Sequence, residues 1–395
     1  LRVWDGAAWT NPWPAYELES SYYVTNLAVW NDHLVVAGWF DRIGGVGVSN
    51  LARFDGEGWR GFGGSLADRN FNPMVTSLTV HRGRVFAAGS FSSAGGEPTS
   101  NIAAWDGAGW TTIEGLYNRF YGSSRHAGVR AVTAWGDELV VGGDFDTADG
   151  RPALRVARWD GSGFHAMGAG LNGNVGSLCV FEGRPVAGGA FRIGSDLTYY
   201  SLARWEGDEW RLFGPTLGGV VTSLMVFDGR LHGAQGSSVR RWTGSEWETL
   251  GEPTSGSVRV LGEYNGEIVA AGDFASVGNQ IVQCIARWTD AGWRPLGALP
   301  NPGVGGGPLG VTCVVAHDGV LDIAGDFTTA GGLPALNAAR WDGVSWRPLT
   351  SGVDRPASAI TRFRGETLIA GDRIQSAGGV PSSILARYTD AGVPW

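Results

Sequence analysis

Three carboxylates crowd one short stretch of this chain. The run DFDTADG carries Asp144, Asp146 and Asp149, and calcium favours several oxygen ligands from a short acidic loop. The parallel run DFTTAGG places Thr328 where Asp146 stands and Gly331 where Asp149 stands, so two of the carboxylates are particular to this place. The spacing departs from the EF-hand pattern, and Asp144 recurs as Asp273, Asp326 and Asp372. Recurrence favours a capped turn. Calcium is the lesser candidate, and no other cofactor is expected.

A second group is aromatic and basic. Trp13 and Tyr16 lie near the start, Tyr117, Arg119, Phe120, Tyr121, Arg125 and His126 fall in one stretch, and Tyr199 and Tyr200 form a pair further on. Rings beside guanidinium groups suit contact with a protein or a glycan. Packing down a long loop would use the same rings. Nucleophilic and metal chemistry find less support. The cysteines Cys179, Cys284 and Cys313 show no metal-type spacing, and no phosphate loop, nucleophile elbow or HExxH occurs. No residue is assigned a catalytic role. A glycosidase would need two carboxylates ~5–9 Å apart across a cleft.

What positions these residues is a repeat. The signature aromatic-x-Gly-x-x-aromatic recurs as WDGAAW (from Trp4), FDGEGW (Phe54), WDGAGW (Trp105), WDGSGF (Trp159), WEGDEW (Trp205), WTGSEW (Trp242) and WDGVSW (Trp341). Variants of the same length with the glycine two places later, WTDAGW and YTDAGV, start at Trp288 and Tyr388. The first aromatic moves from 4 to 388 in eight steps, so the period is 48 residues. These two columns hold fourteen of the nineteen tryptophans, which makes the tryptophan excess architectural.

Each signature follows a β-branched run such as VTSLTV (Val75 to Val80), a short turn, and an apolar run ending in small residues such as VVGGDF (Val140 to Phe145). Both are strand patterns joined by a hairpin turn. One unit therefore reads strand a, turn, strand b, connection, strand c, turn, strand d. Four antiparallel strands per repeat make a propeller blade. The expected fold is all-β, a single β-propeller over 1–395 of about eight four-stranded blades, with seven or nine as alternatives. The blades fall near 24–59, 75–110, 129–164, 175–210, 221–247, 258–293, 311–346 and 357–395. Residues 1–13 supply a surplus c–d hairpin that could close the ring in competition with the copy from Ser382.

The residue before each a–b turn is Trp30, His81, Trp135, Phe181, Phe227, Tyr264, His317 and Phe363. His81 and His317 thus occupy a structural ring slot. The d–a and b–c connections share one face, and long loops there are the expected seat of function.

The pattern in IAGDFTTAGGLPALNAARWDGVSW (Ile323 to Trp346) resembles the kelch-like repeats of large secreted bacterial proteins. It is also similar to the repeats of fungal cortical-marker proteins of the Rax2 type. The aromatic spacing departs from kelch domains proper. The resemblance covers nearly the whole chain and implies an extracellular or cell-surface interaction scaffold; it transfers no catalytic residue.

Composition bounds the rest. A net charge of −8 argues against a nucleic-acid surface. All 30 basic residues are arginine. No apolar run is long enough to span a membrane as a helix. The chain begins at Leu1 inside a repeat, as a processed or truncated product would. The expected function is a non-enzymatic, secreted or surface propeller that engages a protein partner or joins a larger assembly. A carbohydrate-binding propeller is one alternative; a hydrolase or lyase acting over the central channel is the other.

Overall fold

The computed structural model describes residues 3–4, 9–10, 23–64, 66–67, 73–119, 128–193, 200–214, 221–349, 351–371, 374, 376–377, 380–381 and 385–389. The fold is a β-propeller. Seven four-stranded antiparallel sheets follow one another in the order a–b–c–d, and an eighth has three strands. Blade 1 comprises Tyr23–Trp30, His33–Trp39, Leu51–Phe54 and Trp59–Arg60; blade 7 comprises Gly310–His317, Val320–Asp326, Ala338–Trp341 and Trp346–Pro348. Blade 8 is built from Ala357–Phe363, Glu366–Gly371 and Leu385–Thr389.

Strand b shows why the sequence repeats as it does. It runs through the middle of each blade and is buried on both faces, so it reads as continuous apolar residues. Its closing glycine meets strand a at a fixed irregularity. All eight a–b ladders shift register at one equivalent position, occupied by Thr25, Thr76, Arg130, Gly176, Thr222, Arg259, Thr312 and Ser358. That bulge pushes a strand-a carbonyl against strand b. A Cβ on Gly325 would lie 2.1 Å from the oxygen of Gly310, so only glycine fits.

The signature turn is equally physical. Asp342 Oδ1 accepts the amides of Val344 at 2.9 Å and Ser345 at 2.7 Å, and Asp55, Asp106 and Asp160 cap their turns in the same way. The glycine after each takes a left-handed φ, +95° at Gly343. The two tryptophans of a signature face each other across strands c and d, with ring centroids 5.4 Å apart for Trp341 and Trp346.

Blades join through apolar clusters. Among the described residues there are eight, and each draws on two adjacent blades. The cluster uniting Phe54, Trp59 and Val36 of blade 1 with Phe363, Leu368 and Ala370 of blade 8 closes the circle. Fully buried phenylalanines at or just after the end of strand b (Phe40, Phe91, Phe145, Phe191, Phe274, Phe327) anchor these interfaces; burying one contributes about 1.5–3 kcal/mol. The a strands of successive blades contact each other all the way round, last to first. Of the two terminal copies, Leu385–Thr389 pairs with strand b of blade 8, and the hairpin Val3–Trp4 with Trp9–Thr10 lies against it.

The connections differ from the loops that the sequence suggests. In six blades the b–c link is itself a tiny hairpin, such as Thr147–Ala148 with Arg151–Pro152. The preceding d–a segment often adds a strand to it: Leu66–Ala67 pairs with Ser93–Ala94, Leu116–Tyr117 with Thr147–Ala148, and Val304–Gly305 with Thr329–Ala330. Small sheets thus form a crown over one face of the ring, confirming that these two connections lie together. In blade 5 strands b and c meet through Gly236 and Ser237 alone.

Candidate functional site

The crown of blade 3 brings Tyr117 and Arg119 of the aromatic group together with the acidic run. Leu116–Tyr117, Thr147–Ala148 and Arg151–Pro152 make one three-stranded sheet, with Tyr117 opposite Thr147. Pairing fixes the backbone of Tyr117 while its side chain stays 43% exposed. Arg119 is exposed beside it; its amide lies 3.0 Å from both carboxylate oxygens of Asp146, and its guanidinium reaches the Gly150 oxygen at 3.4 Å. The exposed Arg151 lies on the neighbouring strand.

The three aspartates are each taken up by protein donors. Asp144 receives Arg130 at 2.6 Å and Arg155 at 3.0 Å. Asp146 caps the Arg119 amide. Asp149 opens the hairpin turn with φ +45° and accepts the amide of Phe164 at 2.5 Å. These bonds account for the acidic run as turn and strand-end caps. Among the described residues no group of three or more His, Cys, Asp or Glu is arranged to hold a metal ion.

Phe120, Tyr121, Arg125, His126, Tyr199, Trp13 and Tyr16 lie outside the described residues. Tyr200 begins strand c of blade 4 (Tyr200–Trp205). His81 sits in its ring slot, its Nε2 3.2 Å from the Asp137 oxygen on the next blade. Trp30, Trp135 and Tyr264 donate likewise to Gly83, Gly183 and Gly319 of the following blade.

His317 does something else. Its Nε2 donates to Asp322 at 2.9 Å. Asp322 is wholly buried in strand b, where other blades place Val35, Phe86, Val140, Val186, His232, Val269 and Leu368. Arg340 grips the carboxylate through Nε at 2.5 Å and Nη2 at 2.7 Å, and Thr367 of blade 8 donates its hydroxyl. Burial works against the charge, but the bonds from Arg340, His317 and Thr367 prevail and hold the carboxyl below its ordinary range. Sequence reasoning passed over this group, although one carboxylate in a column that is apolar but for His232 was the signal. The charges are spent on one another, joining blade 7 to blade 8.

The cysteines are inert by environment. Burial alone pushes Cys179 up to about 12; burial and then Asp273 push Cys284 up to about 11; burial pushes Cys313 up to about 12.

No helix among the described residues is long and apolar enough to cross a membrane. A family profile described as "Domain of unknown function (DUF5122) beta-propeller" matches residues 31–58. No curated protein matches the chain. Among solved structures, the computationally designed Ika8 protein is similar at 12% identity and a TM-score of 0.59, over 93% of this chain and 96% of the designed one. An extracellular domain described as part of a hybrid two-component system from B. thetaiotaomicron aligns at 12% identity and a TM-score of 0.45, over 82% of this chain and 39% of its own length. Another, described as part of a one-component system from B. thetaiotaomicron, aligns at 10% identity and a TM-score of 0.40, over 89% and 56%. The chain thus spans about half the length of those extracellular domains, and the β-propeller rests on the sheet order and on the family profile.

Proposed function

We propose that this chain is a non-enzymatic propeller, extracellular or at the cell surface, that engages a protein partner through the crown of blade 3. One observation carries this reading: Tyr117 is held in a paired strand with its ring exposed, beside the exposed Arg119 and Arg151. Tyrosine and arginine on a rigid frame are the side chains that dominate protein contacts. The nearby acids are neutralised by Arg130 and Arg155 or bound to amides, so the platform displays groups outward and does not converge them on a reacting atom. The kelch-like character of the repeat supports the same placement outside the cell.

A photo-crosslinker placed at position 117 in the native host tests this. Adducts to a discrete protein from that position, and none from a crosslinker at position 228 in an a–b turn on the opposite face, are expected. Equal labelling from both positions would defeat the proposal. The exposed ring also suits a sugar face, so a glycan array provides the contrast: reproducible binding abolished by Tyr117→Ala would replace the protein partner with a carbohydrate.

A further inference from the structure

Blades 6 and 7 carry a crown of the opposite character. Three segments, 274–286, 295–316 and 327–339, contain no Asp, Glu, Arg, Lys or His, in a chain whose residues are 17% charged. The fold knits them together. Val304–Gly305 pairs with Thr329–Ala330, which pairs with Leu333–Pro334. The Val304 amide donates to the Gln283 oxygen at 2.9 Å, and the Gly331 amide to the Gly303 oxygen at 2.8 Å. Next to them Leu336 accepts the amide of Val353. On these adjoining strands and links stand Ile281, Leu299, Leu309, Leu333 and Leu336, between 41% and 69% exposed.

Large side chains left in water on neighbouring segments mark an interaction surface. Charge decides what covers it. The molecule carries −8 overall, so two copies repel unless the surfaces that touch are free of that charge. A two-fold contact sets a patch against itself and must be its own complement. Apolar crown segments without charged side chains meet that condition with little matching of opposite charges, the carboxylates of Asp326 beside Gly307 and Glu252 beside Gly278 standing at their borders. The crown of blade 3, with Asp144, Asp146, Arg119 and Arg151, does not.

We propose that the uncharged crown of blades 6 and 7 is a self-association surface whose occupant is the same crown of a second copy. Blades 3 and 7 are four apart in a ring of eight and therefore lie on opposite sides. Pairing through one leaves the other open, so the proposal stands or falls independently of the partner assigned to Tyr117.

Sedimentation velocity across the micromolar range tests it. The chain should show a monomer–dimer equilibrium. Leu299→Asp with Leu333→Asp should weaken it by more than about ten-fold, while Tyr117→Asp leaves it unchanged. Added sodium chloride should strengthen association by screening the net charge. A chain that stays monomeric throughout, a dimer that salt dissociates, or a folded double variant that still dimerises would each overturn the assignment. Should the double variant misfold, hydrogen exchange on the unaltered chain decides: protection of 295–310 and 327–337 must rise with concentration, and its failure to rise counts against the proposal.

Discussion

The hydroxyl of Ser358 in the last blade donates to the backbone oxygen of Val24 in the first, 2.8 Å away across 334 positions of sequence. It completes a circuit, since Thr25 donates to Val75, Thr76 to Val129, Thr222 to Val258 and Thr312 to Ala357 at the same bulged position. A hydroxyl on the innermost strand thus hands five of the eight blades to the next, and Gly176 leaves blade 4 without one. Where arginine replaces it, as Arg130 and Arg259, the guanidinium turns to Asp144 and Asp273 at the end of strand b. Ser358→Ala should lower stability by about 1 kcal/mol, read from the urea midpoint. An unchanged midpoint would mean that apolar packing alone closes the ring there.

The buried carboxylate of Asp322 makes a sharper prediction. Asp322→Ala leaves Arg340 in place with its partner removed, which should cost about 3–5 kcal/mol. Asp322→Leu combined with Arg340→Met removes both charges and should cost far less. The pH dependence has a definite sign. The folded carboxyl titrates below its unfolded value of about 4, so its contribution is present above that pH and is lost as pH falls through the folded value. The stability gap between the unaltered chain and the double variant should therefore shift toward the variant in acid only. A gap that is flat across pH 2–7 would show that folding leaves the titration of Asp322 unchanged, and a gap that moves toward the variant as pH rises above about 4 would show that the buried carboxyl is neutral.

The signature tryptophans separate into two chemical situations. Trp247 and Trp293 donate their indole N–H groups to Phe213 at 2.8 Å and Leu250 at 2.5 Å on the preceding blade. The buried indole nitrogens of Trp110 and Trp59 find no partner. Trp247→Phe strands the Phe213 carbonyl and should cost about 1–3 kcal/mol more than Trp110→Phe. Equal losses in thermal unfolding would show that ring volume alone matters.

The fold was largely legible because its signals are local. A c–d hairpin needs only the Asp cap, the left-handed glycine and two facing tryptophans, all within six residues, and period-two patterning supplies the rest. The crown hairpins were missed as strands because each side is two residues long. Yet Gly95–Gly96, Gly331–Gly332 and Asp149–Gly150 all take positive φ at both positions, the mark of a two-residue hairpin turn that the pairs Gly-Gly and Asp-Gly announce. Asp322 was missed for a different reason. Its partners come from strands a and c of blade 7 and from blade 8, a convergence that only the radial arrangement creates. Tyr117 and the aspartate run were noticed separately, and what joined them was a two-residue strand pairing.

The acidic run of blade 3 carries the last prediction. Asp144 is already met by Arg130 and Arg155, and Asp146 and Asp149 by the amides of Arg119 and Phe164. A cation placed there would compete with two guanidinium groups and with the hydrogen bonds from two backbone amides. EDTA should therefore leave the melting temperature where it is, and added calcium should not raise it. Asp146→Asn keeps an oxygen for the Arg119 amide and should be nearly neutral; Asp146→Ala should loosen the 116–119 strand and raise hydrogen exchange at Tyr117 and Arg119. A calcium-dependent rise in melting temperature that Asp146→Asn abolishes would show that the carboxylates leave these donors for a metal, and the capped-turn account of the run would fall.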